Sequence, residues 1–173
     1  GVGYVPQDNF LFSASVRENI RFYAPNATDE DVYAAAKLAD IYDAVMDFPD
    51  GFDTEVGERG VTLSGGQKQR VSIARALVKK PRVLILDDAL SAVDAETERH
   101  IWASLRGVLS SGASGIVIAH RVSALMHCDE ILVLDEGRVI ERGTHEQLLA
   151  LGGHYARTAH EQAAGEEAKA HAD

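Results

Sequence analysis

The chain has 173 residues, of which 46% are hydrophobic and 25% are charged, a composition typical of one globular domain with a substantial core. Its aliphatic runs, such as 83–86 and 131–134, fall far short of the ~20 apolar residues that cross a bilayer. The net charge of -10 argues against nucleic acid as the main partner. The single cysteine, Cys128, excludes an intrachain disulfide and favours a reducing compartment.

The first third of the chain is predicted to be a short strand followed by helices. Residues 1–5 have strand character, and because they open on Gly1 rather than Met we expect the protein to begin upstream of this sequence. Ser/Thr-x-x-acid capping boxes at 15–18 and 28–31 predict two helix starts. Residues 13–60 are therefore expected to form a mainly helical region.

The middle of the chain alternates helices and strands. A basic helix is predicted to end before Pro81, which stops it. The apolar runs at 83–86, 115–119 and 131–134 do not alternate with polar residues, as expected for strands covered on both faces of a parallel sheet. A helix at about 94–109 separates the first two runs. This order implies right-handed crossovers and an α/β fold with a parallel sheet.

The end of the chain is predicted to contain a hairpin, a helix and a tail. The Glu136-Gly137 turn lets 138–141 pair back as a hairpin, and a capping box at 144–147 opens a helix. From about Gly152 onward the Ala-, Glu- and Gly-rich composition predicts a disordered tail over 152–173.

Polar residues directly follow two of the predicted strands. Asp87 and Asp88 follow one apolar run and His120 follows the next. Ligands of open α/β sheets bind beyond the carboxyl ends of the strands, so two carboxylates and an imidazole are expected at one sheet edge. A carboxylate there suits Mg²⁺, which prefers oxygen ligands and shares its coordination with phosphates. On these residues alone, solvated acids at a strand end and a loop histidine are an equally good interpretation.

The turn at 64–67 is a second candidate site. It supplies a hydroxyl at a helix N-cap, two glycines that let backbone N–H groups approach an anion, and the positive end of a helix behind them. A Ser-Gly-Gly turn is also a common loop, so it indicates a phosphate clamp only together with the residues that follow it.

Those residues resemble a known family. Leu63–Leu77, followed by Val83–Asp88 and then Ser91–Asp94, is similar to the nucleotide-binding domain of ABC transporters, and the resemblance extends to about Tyr155. It implies a partial P-loop NTPase (RecA-like) core with a parallel sheet and an α-helical ABC subdomain. The implied segments are a Q-loop strand and linker (1–12), a helical subdomain with the X-loop and the signature (13–80), the C-terminal part of the ATPase core (81–151) and the tail (152–173).

The resemblance also implies residue roles, with ATP and Mg²⁺ as cofactors. The signature contacts the γ-phosphate of ATP held by the partner domain of a head-to-tail dimer, and its residues here are Ser64, Gly65, Gly66 and Gln67. Asp87 matches the Walker B aspartate near Mg²⁺. Asp94 lies in the D-loop, which communicates across the dimer, and His120 matches the switch histidine that contacts the γ-phosphate. Gln7, in the Q-loop, is expected to reach Mg²⁺ and the attacking water.

Two further segments are similar to exporter-type domains in particular. Phe10–Ile20 is one, and the X-loop segment Thr54–Gly60 is the other. In such domains the helical region contacts coupling helices of a membrane domain, so Phe10, Leu11 and Phe12 are expected to line that groove. Packing within the helical core is an equally good and compatible interpretation of these three residues.

The sequence departs from the family pattern at two points. The phosphate loop Gly-x-x-x-x-Gly-Lys-Ser/Thr is not in this chain, so we expect its residues upstream of Gly1 and expect the fragment alone to bind ATP poorly. Asp88 stands where the family usually has a glutamate that acts as base or positions water. The shorter side chain withdraws the carboxylate by ~1.5 Å, which can cost on the order of 10²-fold in rate. An aspartate there, beside an intact signature, resembles the slow-site half of a heterodimeric exporter.

The sequence therefore predicts the ATP-binding and ATP-hydrolysing region of an ABC-type exporter at the cytoplasmic face of a membrane. Its expected partners are a second ATPase domain in a heterodimer and membrane-domain coupling helices, with no nucleic acid. Two alternatives remain open: a non-transport ABC ATPase acting on nucleic acid, and a non-catalytic ATP-sensing dimerisation module. The acidic 26–60 region with its X-loop pattern favours export over the first alternative.

Overall fold

A computed structural model describes residues 1–58 and 60–172. Arg59, in the predicted X-loop segment, and Asp173 lie outside the described residues. The chain forms two compact units, residues 1–118 and 119–173. The predicted division at residues 12, 80 and 151 names functional segments rather than these compact units and stays a prediction.

Within its described residues, the first unit contains eleven elements of regular structure. In chain order they are β1 (Val2–Val5), β2 (Ala14–Ser15), α1 (Val16–Arg21), α2 (Asp29–Leu38), α3 (Tyr42–Met46), a 3₁₀ turn (Gly51–Asp53), β3 (Glu55–Val56), α4 (Gly65–Leu77), β4 (Val83–Asp87), α5 (Ala95–Ser110) and β5 (Ser114–Ile118). The mainly helical region predicted for 13–60 is confirmed, with the small antiparallel pair β2–β3 added to it.

A three-stranded parallel sheet, in the order β1-β4-β5, forms the centre of this unit. The register pairs Val5 with Leu86 and Asp87 with Ile118, so the carboxyl ends of the three strands lie at one edge. Helices connect strands that run in the same direction, as the sequence predicts. Leu84 and Leu86 are buried on one face of β4, and Val83 and Ile85 are half-buried on the other.

Helix α4 packs against the sheet and against the helices α1 and α2. Its buried face carries Val71, Ile73, Ala74 and Leu77. Close packing favours a glycine in β1, because a Cβ on Gly3 would lie 3.0 Å from the carbonyl oxygen of Ala76, a tight contact. Fully burying an aliphatic side chain of this size contributes about 1.5–3 kcal/mol, so this face is a main source of stability for the unit.

The second unit is a hairpin flanked by helices: α6 (Val122–Leu125), β6 (Ile131–Asp135), β7 (Arg138–Gly143), α7 (His145–Leu151) and α8 (His154–Ala170). Its core contains Val122, Ile131, Leu148 and Tyr155. The predicted capping box of α7 is present, with the Thr144 hydroxyl accepting from the Gln147 N–H.

Two predictions differ from the structure in this unit. The run 131–134 belongs to an antiparallel hairpin rather than to the parallel sheet, and Leu132 and Leu134 are exposed. A four-residue apolar run cannot by itself distinguish these two settings. The predicted disordered tail contains helix α8, whose first turn is anchored by the Glu141 carboxylate accepting from the N–H groups of His154 and Tyr155 at 2.6 and 2.9 Å. Among the described residues, none of the helices is both long and apolar enough to span a bilayer.

Candidate functional site

Asp87 lies at the carboxyl end of β4 and is half-buried. Its Oδ2 accepts a hydrogen bond of 3.2 Å from the hydroxyl of Tyr4, which projects from the neighbouring strand β1. Desolvation and, to a smaller extent, the bond to this carboxylate raise the pKa of Tyr4, so the hydroxyl is a protonated donor at neutral pH. The sequence did not single out Tyr4, because its register opposite Ile85, two residues before Asp87, is known only from the folded sheet.

Asp88 has a left-handed backbone, with φ of +49°. Its N–H donates to the carbonyl of Ile118 at 2.7 Å, which ties the turn after β4 to the end of β5. Asp and Asn adopt this conformation far more readily than other residues with a Cβ. Asp88, predicted above to replace a glutamate, is therefore a residue suited to this backbone.

The predicted signature residues form the N-terminus of α4, a helix of thirteen residues, with Ser64 and Gly65 exposed and Gly66 and Gln67 half-buried. Ser64 is its N-cap: its Oγ accepts from the N–H of Gln67 at 3.2 Å, and its own N–H donates to Oε1 of Gln67 at 3.0 Å. The first N–H groups of a helix have no intrahelical partner. Because the capping box uses those of Ser64 and Gln67, the N–H groups of Gly65 and Gly66 remain to donate to an anion.

The N-terminal turn of α4 packs directly on the segment 88–92. A Cβ on Gly66 would lie 2.8 Å from the carbonyl oxygen of Ala92, so this position requires glycine. One turn further along α4, Gln69 is 4% exposed. Its Nε2 donates to Oγ of Ser91 at 2.8 Å, and its Oε1 accepts from the N–H of Ala92 at 2.8 Å. The sequence did not identify Gln69, because nothing local marks a contact between residues more than twenty positions apart.

Asp94 is the N-cap of α5. Its Oδ1 and Oδ2 accept from the N–H and the hydroxyl of Thr97, each at 2.8 Å. These two bonds, the backbone one first, lower the pKa of Asp94 and hold it ionised. Both carboxylate oxygens therefore take part in helix capping, and the predicted role of Asp94 near a nucleotide stays a prediction.

Gln7 and His120 are both exposed. Gln7 follows the end of β1, the strand beside β4, and its carbonyl accepts from Nδ2 of Asn9 at 3.4 Å. His120 lies at the start of the second unit, where its carbonyl accepts from Nε2 of Gln162 at 2.7 Å. Its proximity to Asp87 stays a prediction.

A cluster of aromatic rings follows the Gln7 segment. It contains Phe10, Phe12, Phe22 and Tyr23, here called the aromatic patch, with neighbouring ring centroids 5.1, 4.1 and 4.8 Å apart. Phe10, Phe22 and Tyr23 are 66, 47 and 59% exposed. Leu11 and Phe12 are half-buried. The patch therefore combines packing within the helical region with an exposed apolar surface.

Arg75 of α4 contacts the aromatic patch through hydrogen bonds and a ring contact. Its Nη1 donates to the carbonyl of Phe10 at 2.9 Å, and its Nε donates to the carbonyl of Asn19 at 2.7 Å. The guanidinium also lies over the ring of Phe12, 5.6 Å from its centroid. The N-terminal turn of α4 thus belongs to the predicted phosphate clamp, and Arg75, near the C-terminal end of the same helix, contacts the aromatic patch.

Comparison with known proteins decides the family. A family model described as ABC transporter matches residues 1–91, more than half of the chain. The chain belongs to the ABC transporter family. It is 49% identical over 172 residues to the ATP-binding cassette sub-family B member 6 of Xenopus tropicalis, covering 99% of this chain and 20% of that protein. It is 50% identical over 165 residues to the heavy metal tolerance protein of Schizosaccharomyces pombe, covering 95% of this chain and 20% of that protein.

A solved structure of a bacterial Atm1-family ABC exporter with ATP bound supports the same fold. It superposes with a TM-score of 0.87 at 48% identity, covering 94% of this chain and 28% of that one. The α/β fold of the ABC ATPase core, a P-loop NTPase fold, is thereby confirmed. The chain spans about a fifth of the length of the two curated relatives.

The residues of this ABC family member fit a magnesium ion shared with a nucleotide. Among the described residues, no group of three His, Cys, Asp or Glu side chains could hold a metal by itself. Mg²⁺ in nucleotide sites does not need such a group, because it keeps several waters and takes one or two carboxylates plus phosphate oxygens. Asp87 supplies one oriented carboxylate at the sheet edge, as that coordination requires.

Proposed function

We propose that this chain is the ATP-binding and ATP-hydrolysing region of an ABC exporter. The observation that carries the proposal is the N-terminus of α4: its capping box is complete, Ser64 and Gly65 are exposed, and the N–H groups of Gly65 and Gly66 are left to donate. An N-terminus of this kind favours a phosphate group through its N–H donors and its dipole. Its exposure suits a phosphate presented by another domain, as in a head-to-tail dimer.

The proposed reaction is attack of water on the γ-phosphate of ATP. The N–H groups of Gly65 and Gly66, with the Ser64 hydroxyl, would stabilise charge on the γ-phosphate held by the partner domain. Asp87 would hold Mg²⁺, which neutralises charge on the phosphates. Gln7, at the end of β1, would orient the attacking water, and His120 would contact the γ-phosphate.

Asp88 is proposed to make this chain's own site slow. Its carboxylate is one methylene shorter than that of glutamate, and misplacement of a reacting group by about 1 Å can cost about 10²-fold in rate. The chain would then contribute most through the turn at 64–67, here called the signature turn. That turn would act at the site whose Walker B residues come from the partner. A heterodimeric partner with a glutamate at the equivalent position fits this division.

The aromatic patch is proposed to receive coupling helices of the membrane domain. Its three exposed aromatic rings, of which Phe10 is joined to the other two through Phe12, form an apolar surface of the kind that marks interaction sites. Arg75 links this surface to α4, so movement of the signature turn would reach the membrane domain through one helix. The chain is accordingly proposed to lie at the cytoplasmic face of a membrane.

The test is ATP hydrolysis by the purified, intact assembly that contains this chain. Ser64→Arg puts a bulky side chain where the phosphate would bind and should reduce turnover by at least about 10²-fold. The matched control is Thr28→Arg, because Thr28 is also an exposed N-cap with a complete capping box. Equal turnover of the two variants would contradict the proposed function.

Asp88 also favours a second candidate, an ATP-sensing module that binds but does not turn over nucleotide at its own site. Asp88→Glu separates the two. A rise of tenfold or more in turnover supports a slow catalytic site, and unchanged turnover with retained ATP binding supports the sensing module.

A further inference from the structure

Gln69 is a buried amide whose hydrogen bonds all run between two distant segments. It sits in the second turn of α4 and is 4% exposed. Its Nε2 donates to Oγ of Ser91 at 2.8 Å and its Oε1 accepts from the N–H of Ala92 at 2.8 Å. Leaving such buried groups without partners is costly, so the amide and this segment hold each other in place.

The bond to Ser91 continues to Asp88. Oγ of Ser91 donates to the carbonyl of Asp88 at 3.2 Å, and Nε2 of Gln69 also donates to that carbonyl at 3.4 Å. The N–H of Asp88 donates to the carbonyl of Ile118. Both backbone polar groups of this left-handed residue are therefore hydrogen-bonded. Such a backbone persists where its surroundings determine it, and Gln69 and Ser91 are part of those surroundings.

A second observation joins the same two segments. The first turn of α4 approaches the backbone so closely that a Cβ on Gly66 would lie 2.8 Å from the carbonyl of Ala92. Gly66 has no side chain to clash at this contact, and Gln69 makes the hydrogen bonds beside it. The turn at 64–67 and the segment 88–92 therefore form one packed piece of structure.

We propose that Gln69 is a positioning residue that fixes the backbone of Asp88 and the 91–92 turn relative to the signature turn. The inference rests on the proposed function. In the proposed head-to-tail dimer, the signature turn acts at the partner's nucleotide and Asp88 at this chain's own. Gln69 would thus join the two nucleotide sites within one chain, and its loss would slow the chemical step more than it weakens ATP binding.

The experiment compares three variants in the intact assembly. Gln69→Met keeps the length of the side chain and removes both hydrogen-bonding groups. Gln69→Glu keeps an acceptor for the Ala92 N–H and for the Ser91 hydroxyl. The matched control is Ser72→Ala, because Ser72 is also buried on α4 and its hydroxyl has no hydrogen-bond partner among the described residues.

Two readouts test the role. For Gln69→Met we expect kcat for ATP to fall by about 10²-fold while KM changes less than about threefold, with partial recovery in Gln69→Glu and no change in Ser72→Ala. We also expect faster hydrogen exchange at the Ala92 amide in Gln69→Met, a readout that needs no catalysis.

The outcomes separate this inference from the proposed function. If the unmodified assembly hydrolyses ATP and needs Ser64, but Gln69→Met behaves like Ser72→Ala in both readouts, the role of Gln69 is wrong and the proposed function stands. If Ser64→Arg has no effect on turnover, the proposed function fails, and the Ala92 exchange still reports whether Gln69 holds the turn. If Gln69→Met does not fold, Gln69→Asn, whose amide is one methylene too short to reach both Ser91 and Ala92, carries the test: unchanged kcat and unchanged Ala92 exchange in that variant overturn the role.

Discussion

The hydroxyl of Tyr4 donates a hydrogen bond of 3.2 Å to Oδ2 of Asp87 across two neighbouring parallel strands. A carboxylate proposed to hold Mg²⁺ is thereby oriented by a residue that would not contact the ion itself. Such supporting bonds are typical of metal sites, and their removal usually costs about 10–100-fold in metal affinity or activity.

Tyr4→Phe should weaken metal binding and leave the fold intact. The phenyl ring keeps the packing on β1, and only the bond that orients Asp87 is lost. We expect the affinity for Mn²⁺, titrated in the presence of ATP and followed by electron paramagnetic resonance, to fall by about tenfold in the intact protein. Tyr42→Phe, a half-buried tyrosine of α3, is the control. Equal affinities in the two variants would remove the role given to Tyr4.

Substitution of Ser64 by Ala separates capping from phosphate binding. Losing an N-cap hydroxyl costs about 1 kcal/mol, and Thr28→Ala at the start of α2 removes the same kind of capping box. Both variants should therefore lose similar thermal stability. Only Ser64→Ala should also lose ATP turnover, because only that hydroxyl would face a phosphate. Parallel losses of turnover in both variants would show that stability alone explains the effect.

The left-handed backbone of Asp88 predicts a graded stability series. Asp88→Asn should change the free energy of unfolding by less than about 0.5 kcal/mol, because Asn tolerates this conformation. Asp88→Val should destabilise by at least about 1–2 kcal/mol, since a β-branched residue does not. Chemical denaturation measures the series. Equal stability of the Asn and Val variants would contradict a φ of +49° at this position.

Asp31 predicts a specific acid sensitivity. Its bond to Lys80 at 2.7 Å, followed by bonds from Thr28, lowers the pKa of Asp31 to about 2. An unfolded Asp has a pKa of about 3.9, so this carboxylate stabilises the fold above that pH and loses its contribution as pH falls toward 2. The difference in melting temperature between the wild type and Asp31→Asn should therefore shrink between about pH 5 and pH 2. Glu30→Gln on the same turn is the matched charge change, and a difference for Asp31→Asn that stays constant over this range would contradict the assignment.

Helix α8 should control the mobility of the turn before α6. Oε1 of Gln162 accepts from the Val122 N–H at 2.9 Å while its Nε2 donates to the His120 carbonyl at 2.7 Å. Gln162→Ala should speed hydrogen exchange at Val122 by roughly fivefold, the effect of losing about 1 kcal/mol of protection. Gln162→Glu retains the acceptor and should exchange more slowly than the Ala variant. Glu161→Ala, at an exposed neighbouring position, should leave Val122 unchanged.

Local chemistry accounts for what the sequence could predict. The helix starts at Ser15, Thr28 and Thr144 depend on residues three positions apart, and the three predicted capping boxes are present. The predicted N-cap at Ser64 is also present and is part of a capping box with Gln67. The position of Asp87 at a strand end likewise follows from one apolar run. The parallel sheet was predictable because its strands alternate with helices.

Contacts between distant residues account for what the sequence could not predict. Tyr4 and Asp87 are 83 positions apart, Gln69 and Ala92 are 23 apart, and Gln162 and His120 are 42 apart. No periodicity or motif encodes such pairs. The tail was expected to be disordered from its composition, yet Ala and Glu also favour helix, and capping by Glu141, 13 residues upstream of His154, gives that helix a defined start.

Hydrogen exchange at Gly65 and Gly66 tests whether the N-terminus of α4 binds the phosphates of ATP. If their N–H groups donate to a triphosphate, their exchange in the intact assembly should slow markedly when ATP and Mg²⁺ are added. The corresponding amides of Asp29 and Glu30, in the first turn of α2, should not change. Exchange at Gly65 and Gly66 that is indifferent to ATP, under conditions where ATP is bound, would contradict the account.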